Sequence, residues 1–507
     1  MTATVREQAA GTASAEAMSL CFNAYWRQQA GDQPAATALY ARAVALAPTD
    51  PAILASAGDA LRFTGELTEA VALFDRAIAV DPAMVAAWFG RALALDASGR
   101  TEDARAAYAR VAELSPTTAP GFAGLAAMEF LLGDVDAARG HAAHALAIAP
   151  GDAMTVMTVA RCDMAGGQHA AAAERLRRFI GQKGVAADDA IVALGLLGDA
   201  FDAMGRTDAA FDAYARANTR FVERHGGRDL PPLARREVEA IDAAVARLAP
   251  GALAGPAPAV AGEAARHIFL LGYPRSGTTL IEQVLATVPG VTTLEEAPTF
   301  SAAVQYLAPG GIAALAALGV DDVAALRADY WARVAAAGID VAGSTFVDMD
   351  PFKAPALPLI ARLFPDAKVV IVQRDARDVV WSCFRRSFVY SPVTIEFTTL
   401  PRAAQHYGAV MRLIRRCLDT LPVDAHVLTY EDLVHDFDGA TQRLCDFAGL
   451  PWSPGLRDFA RTASARPVKT ASVHQVRRPL FDGSGQWRKY AAQLEPVMPV
   501  LAEWVAA

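Results

Sequence analysis

Through the first part of the chain, apolar and polar positions form short helical blocks that return at a fixed spacing. Proline stands at Pro48, Pro82, Pro116 and Pro150, a step of 34 residues each time. Glycine keeps pace midway between them, at Gly31, Gly65, Gly99, Gly133 and Gly167. A small residue recurs at Ala43, Ala77 and Ala145, with Val111 breaking the series, and a ring precedes it by three residues at Tyr40, Phe74 and Tyr108. The pattern predicts a unit of helix, turn at glycine, helix and stop at proline, because Gly ends helices readily and Pro cannot continue one. Small residues mark where two helices approach closely, and the rings fill the adjacent groove. A further helix is expected over about residues 232–248. The stretch LAPGALAGPAPAVAGE, from Leu248 to Glu263, then has few large apolar residues and reads as a linker. Beyond it the pattern changes. The apolar runs HIFLLG (His267–Gly272), KVVIVQ (Lys368–Gln373) and AHVLTY (ending at Tyr430) alternate with helical stretches. These runs predict strands alternating with helices in an α/β layer, with 368–373 a buried strand of the parallel type.

Composition narrows the picture. A chain of 507 residues exceeds what one core usually supports, so two or more domains are expected. With 53% hydrophobic and 20% charged residues it can bury large cores, which excludes disorder. Much of the hydrophobic fraction is alanine. No run of about 18 strongly apolar residues occurs, so no membrane span is expected. The first 31 residues lack a basic segment followed by an apolar run, which argues against a secretory leader. Five scattered cysteines (Cys21, Cys162, Cys383, Cys417, Cys445) without a CxxC read as free thiols of a reducing compartment, so a cytoplasmic protein without a metal site is expected. A net charge of −8 disfavours generic nucleic-acid binding. The 34-residue period, with Gly, Ala, aromatic and Pro in this order, resembles the tetratricopeptide repeat over about residues 14–186, with a looser unit around Gly205 to Ala217. It sets a repeat array at 14–220, a capping helix and linker at 221–264, and a second domain at 265–507. The resemblance implies an α-superhelix whose concave face docks a peptide or partner protein; a scaffold or a homodimer interface is the other use of such an array.

The chemistry lies in the second domain. The strand ending at Gly272 runs into Tyr273-Pro274-Arg275-Ser276-Gly277-Thr278-Thr279 and then a helix. A strand, a glycine turn and a helix start present backbone N–H groups to an anion. The Gly272-x4-Gly277 spacing is that of nucleotide-hydrolase phosphate loops, yet the Lys those enzymes require next is here Thr278. So the loop suits phosphate binding and is poorly equipped for NTP hydrolysis. A second strand, 368–373, delivers Arg374 at its carboxyl end, where open α/β sheets bind ligands. Ser382 and Arg386, four apart, would share a face of the next helix and add a hydroxyl and a second guanidinium for another phosphate.

PRSGTT followed about 100 residues on by RDARDVVWS resembles the sulfotransferases that use 3′-phosphoadenosine 5′-phosphosulfate (PAPS). The resemblance spans roughly 265–490 and implies a three-layer P-loop-type α/β fold with a mainly parallel sheet. It also implies that Arg275, Ser276, Gly277, Thr278 and Thr279 hold the 5′-phosphosulfate, while Arg374, Ser382 and Arg386 hold the 3′-phosphate. The chain looks most like the tyrosylprotein sulfotransferases and repeat-fused relatives. VTTLEEAPTF resembles their catalytic-Glu segment, which points to Glu296 as general base with Glu295 second. Tyr430 matches a nucleotide-contacting Tyr. TASVHQVRRPLFDGSGQWRKY resembles the loop that closes over PAPS, placing Ser472 near the leaving phosphate and offering Arg488 or Lys489 as a cation. His406 and His474 are minor candidates for the base.

One position departs from the family. DMDPF resembles its NKDPF stretch, but Met349 replaces the catalytic Lys. Lys353 either substitutes for it or is an ordinary lysine at a helix start. The function expected from the resemblance is sulfuryl transfer from PAPS to a hydroxyl, foremost a protein tyrosine. A glycan, lipid or small-molecule acceptor, or a non-catalytic adaptor with a degenerate nucleotide site, is the alternative.

Overall fold

The computed structural model describes residues 3–30, 32–227, 230–308, 310–464 and 480–505. Its contacts divide the chain into two compact units, Met1–Asp189 with Asp199–Gly205, and Ala190–Gly198 with Arg206–Ala507.

The first unit is built from helices. Gln33–Leu46, Leu67–Val80, Thr101–Leu114 and Val135–Ile148 each stop two residues before a proline of the 34-residue series. The glycines of the series make the intervening turns. Gly65, Gly99, Gly133 and Gly167 have φ of 88°, 74°, 90° and 74°, the left-handed conformation that a side chain disfavours. Ala43, Ala77 and Ala145 are fully buried, and so are the Phe74 and Tyr108 rings. Each ring fills space left by a glycine of the following helix. A Cβ on Gly90 would come within 2.4 Å of Phe74, and one on Gly124 within 2.2 Å of Tyr108.

The second unit holds a five-stranded sheet in the order β2-β3-β1-β4-β5. Its strands are β1 (Arg266–Gly272), β2 (Val291–Glu295), β3 (Thr345–Met349), β4 (Lys368–Gln373) and β5 (Asp424–Thr429). All neighbours are parallel. Alternation along β1 sends side chains into both adjacent layers. Ile268 and Leu270 join one apolar core with Ile281, Val284 and Leu444. Phe269 lies among Phe300, Tyr330 and Phe364 on the other face. Met349 is fully buried in the first of these cores. The chain leaves β1 toward β2 on one side and later crosses from β3 to β4 on the other. The carboxyl ends of β1 and β4 therefore flank the point where the loops diverge, the usual ligand crevice of an open α/β sheet.

The division between units falls earlier than the limit of 220 drawn from the repeats. Helix Thr207–Arg224 lies within the second unit. There Phe211 stacks on Phe384 at 5.2 Å, and Tyr214 meets Trp381 edge-on at 5.8 Å. Trp381 is itself buried and stacked 3.7 Å from Tyr490. The expected helix before the linker is Leu233–Val245, tied through Asp242 to Arg416 at 2.5 Å.

The ring-against-glycine packing sets two effects in opposition. Alanine is a better helix former than glycine by about 1 kcal/mol, whereas overfilling a packed core costs about 1–3 kcal/mol. With Tyr108 fully enclosed, the steric term should win. Gly124→Ala is expected to lower the denaturant midpoint of the repeat unit; an unchanged or raised midpoint would show that the ring yields freely.

Candidate functional site

Two backbone positions show where the fold stores strain. Among the described residues, Arg275 (φ 75°) and Glu296 (φ 46°) are the non-glycine residues with positive φ. Such conformations cost of the order of 1–3 kcal/mol each and persist where the surroundings dictate them. Here they occur in the loop after β1 and just past β2, at the residues read above as a 5′-phosphosulfate contact and as the general base.

The loop after β1 is held from several sides. Tyr273 is buried, its hydroxyl 2.8 Å from His406 Nδ1. Ser276 Oγ donates to the Tyr273 carbonyl at 2.7 Å and is turned inward, away from the cleft. Gly277 sits at φ 109° beside the Tyr430 ring, where a Cβ would lie 2.9 Å from Tyr430 Cδ2. Helix Thr278–Leu285 starts immediately afterwards, so its first N–H groups, which have no intrahelical acceptor, open onto the loop.

β4 brings the second half. Arg374 donates to the Arg275 carbonyl at 3.3 Å and to the Gly483 carbonyl at 2.6 Å, with its guanidinium 4.4 Å over the Tyr430 ring. Arg275 Nε donates to Ser382 Oγ at 3.1 Å. Arg386 was expected on a shared helix face with Ser382. In the structure helix Ala376–Phe384 ends first, so Arg386 lies beyond it, and both residues nonetheless line the same cleft. The cations crowd one another. Burial, then Arg386, with Arg374 and Arg385 adding to it, press the Arg275 guanidinium down to about 10, which leaves it charged at neutral pH.

These groups line a cavity of about 830 Å³ that also includes Thr278, Thr279, Glu296, Phe352, Val389, Tyr390, Phe481 and Gly483. Its floor is cationic, and Phe352, Val389 and Phe481 make part of its wall apolar. Residues 480–487 form one rim, clasped by Asp378. This buried carboxylate accepts from Gly485 N at 2.6 Å and Trp487 N at 2.9 Å. Asp378 is 4.0 Å from Arg374, farther than from the two rim amides that it accepts from, so its main role is to anchor the rim. No spacing rule links residue 378 to residues 485 and 487. Arg488 and Lys489 are exposed outside the cavity lining. Ser472 and His474 lie outside the described residues. His406 is buried behind the loop, with burial lowering it to about 4.

Glu296 faces the cleft from the end of β2, where its N–H donates to the Met349 carbonyl at 2.8 Å and extends the ladder. Burial, with Asp350 and Glu295 nearby, pushes its carboxyl up to about 7, against the opposing pull of Arg275 and Lys353. Lys353 is neither exposed nor part of the cavity lining. Its ammonium is 2.6 Å from Asp348 and 3.9 Å from Asp350. Asp348 also accepts from Tyr330 Oη at 2.7 Å and Thr299 Oγ1 at 3.0 Å. Met349, in the family's Lys position, points into the apolar core between these two acids. Strand alternation makes that unavoidable: 348 and 350 share one face, and 349 takes the other.

A carboxyl raised from 4.5 to about 7 ionises more readily in the unfolded chain than in the folded one. Its stabilising contribution is therefore complete below about pH 4.5 and is lost as pH rises to about 7. Glu296→Gln should raise the Tm relative to wild type, with the gap widening from pH 4.5 to 7 and level above. A gap that narrows across this range would mean that the carboxylate is stabilised by its cations instead.

The sulfotransferase family matches residues 267–454, and the tetratricopeptide repeat family matches residues 56–119. An uncharacterized protein of Aquifex aeolicus is 31% identical over 249 residues, which are 47% of this chain and 32% of that protein. Protein-tyrosine sulfotransferase 1 of Danio rerio is 28% identical over 201 residues, 37% of this chain and 54% of that one. This chain thus spans about a third to a half of the length of these relatives. A solved tetratricopeptide-repeat protein of Thermus thermophilus superposes with a TM-score of 0.32 and 19% identity, covering 36% of this chain and 98% of that one. No helix among the described residues is long and apolar enough to cross a membrane. The chain carries tetratricopeptide repeats followed by a sulfotransferase-family domain.

Proposed function

We propose that this domain transfers the sulfuryl group of PAPS to an acceptor hydroxyl, foremost that of a protein tyrosine, with Glu296 as the general base. The observation that carries the reading is the convergence of Arg275, Arg374 and Ser382, with Arg386, on the crevice between β1 and β4. Such a cluster suits a doubly phosphorylated donor. The N–H groups at the start of helix Thr278–Leu285, with Thr278, Thr279 and Arg275, would hold the 5′-phosphosulfate. Arg374, Ser382 and Arg386 would hold the 3′-phosphate, with Tyr430 beside them. The lack of a lysine after Gly277 speaks against γ-phosphoryl chemistry.

In the step itself, the acceptor oxygen bonds to sulfur as the bond from sulfur to the bridging phosphate oxygen breaks. The acceptor proton passes to the Glu296 carboxylate, and the electron pair of the broken bond leaves on the phosphate. A phenol has a pKa of about 10 and is a weak nucleophile when neutral, so a base near neutrality is well matched to it. Arg275, one residue from the phosphate-loop amides, meets the charge that develops on the leaving oxygen. Ser472 keeps its proposed place at the leaving phosphate. Lys353 is held by Asp348, so we assign it to the base side of the cleft and not to the leaving group. The repeat array would bring a peptide or protein acceptor to the enzyme.

Two measurements test the reading. By calorimetry, wild type should bind 3′,5′-adenosine diphosphate in preference to ATP–Mg, and Arg374→Ala should lose that binding. Preference for ATP–Mg would overturn the donor. Glu296→Ala should cut turnover by a factor of about 10² or more while keeping diphosphate affinity. Equal loss of both would remove Glu296 from the role of base.

A further inference from the structure

The segment matched by the sulfotransferase family begins at residue 267, yet helix Thr207–Arg224 lies in the same compact unit and packs on the donor side of the cleft. It does so at three levels. Phe211 and Tyr214 cover Trp381 and Phe384. Asn218 Nδ2 donates to the Phe384 carbonyl at 2.8 Å. Past the helix end, His225 stacks on Tyr390 at 4.5 Å. Phe384 is the last residue of the helix that carries Ser382, and its carbonyl is one of the four at a helix end without an intrahelical donor. The chain leaving that carbonyl runs directly into Arg385 and Arg386, then to the cleft rim at Val389 and Tyr390.

We propose that helix Thr207–Arg224 is a positioning element of the donor site and that Asn218, by capping the Phe384 carbonyl, sets the direction in which Arg385 and Arg386 enter the cleft. The amide is suited to the task because it supplies an N–H where the helix end needs one. An aspartate at the same place has no N–H and would set a negative charge against a carbonyl oxygen. The stack of His225 on Tyr390 holds the far end of the same segment, so one helix and its following residue grip residues 385–390 at both ends. This inference rests on the donor reading above.

The test uses the full chain and 3′,5′-adenosine diphosphate as probe. Asn218→Ala should weaken diphosphate binding by about five- to tenfold, raise the KM for PAPS by a similar factor and leave kcat near wild type. Asn218→Asp should be worse than Asn218→Ala, and Asn218→Gln, which keeps the donor, should recover most of the affinity. If Asn218→Ala does not fold, the comparison of Asn218→Gln with Asn218→Asp carries the test. A lowered Tm with unchanged diphosphate affinity would reduce Asn218 to a purely structural contact and overturn the proposal. Absence of binding by wild type is a different failure, because it strikes the donor reading itself.

Discussion

Like charges gathered in a partly enclosed cleft repel, and the arrangement around Arg275 depends on the fold opposing that repulsion. Arg374 is held by two backbone carbonyls and the face of Tyr430, and Arg275 by the Ser382 hydroxyl and a left-handed turn. The Asp378 carboxylate adds a distant charge partner, 4.0 Å from Arg374. Neutral acceptors thus do much of the orienting of these guanidiniums, which holds them in place before any ligand arrives. Much of the surrounding architecture serves this arrangement. The parallel pairing of β1 with β4 brings residues 275 and 374 together, Gly277 lets Tyr430 approach the loop, and Asp378 fastens the rim across Arg374.

The acids on the other side of the cleft show the complementary logic. Asp348 is fully buried but has Lys353, Tyr330 and Thr299 to satisfy it. Asp350 is less well compensated and is raised to about 6, chiefly by burial. Glu296, nearest the open cleft, is raised to about 7. The carboxylates thus grade from enclosed and paired at Asp348 to open on the cleft at Glu296. Asp350 adds to the rise at Glu296, so the titrations of these neighbours are linked.

Much of this was legible in the sequence, for identifiable reasons. The repeat glycines and prolines act through local backbone geometry, so their period maps directly onto turns and helix stops. The apolar runs at 267–272 and 368–373 form β1 and β4, and the glycine of the loop motif supplies its left-handed turn at Gly277. What stayed hidden was non-local or depended on strand parity. Asp378 acquires its role from residues more than a hundred positions later. Lys353 read either as a substitute for the lysine missing at 349 or as an ordinary lysine at a helix start, and its buried pairing with Asp348 was not legible from spacing. Helix Thr207–Arg224 carries the tail of the repeat pattern, and only its aromatic partners at 381 and 384 reveal the unit in which it packs.

The clasp made by Asp378 has a consequence for how the molecule matures. Its two donors, Gly485 N and Trp487 N, and the Gly483 carbonyl bound by Arg374 all come from a segment synthesised after every strand of the sheet. A chain whose strands have all been made but which stops short of residue 483 therefore lacks the partners that Asp378 and Arg374 take from the rim. The crevice can be complete only once residues 483–487 have joined it.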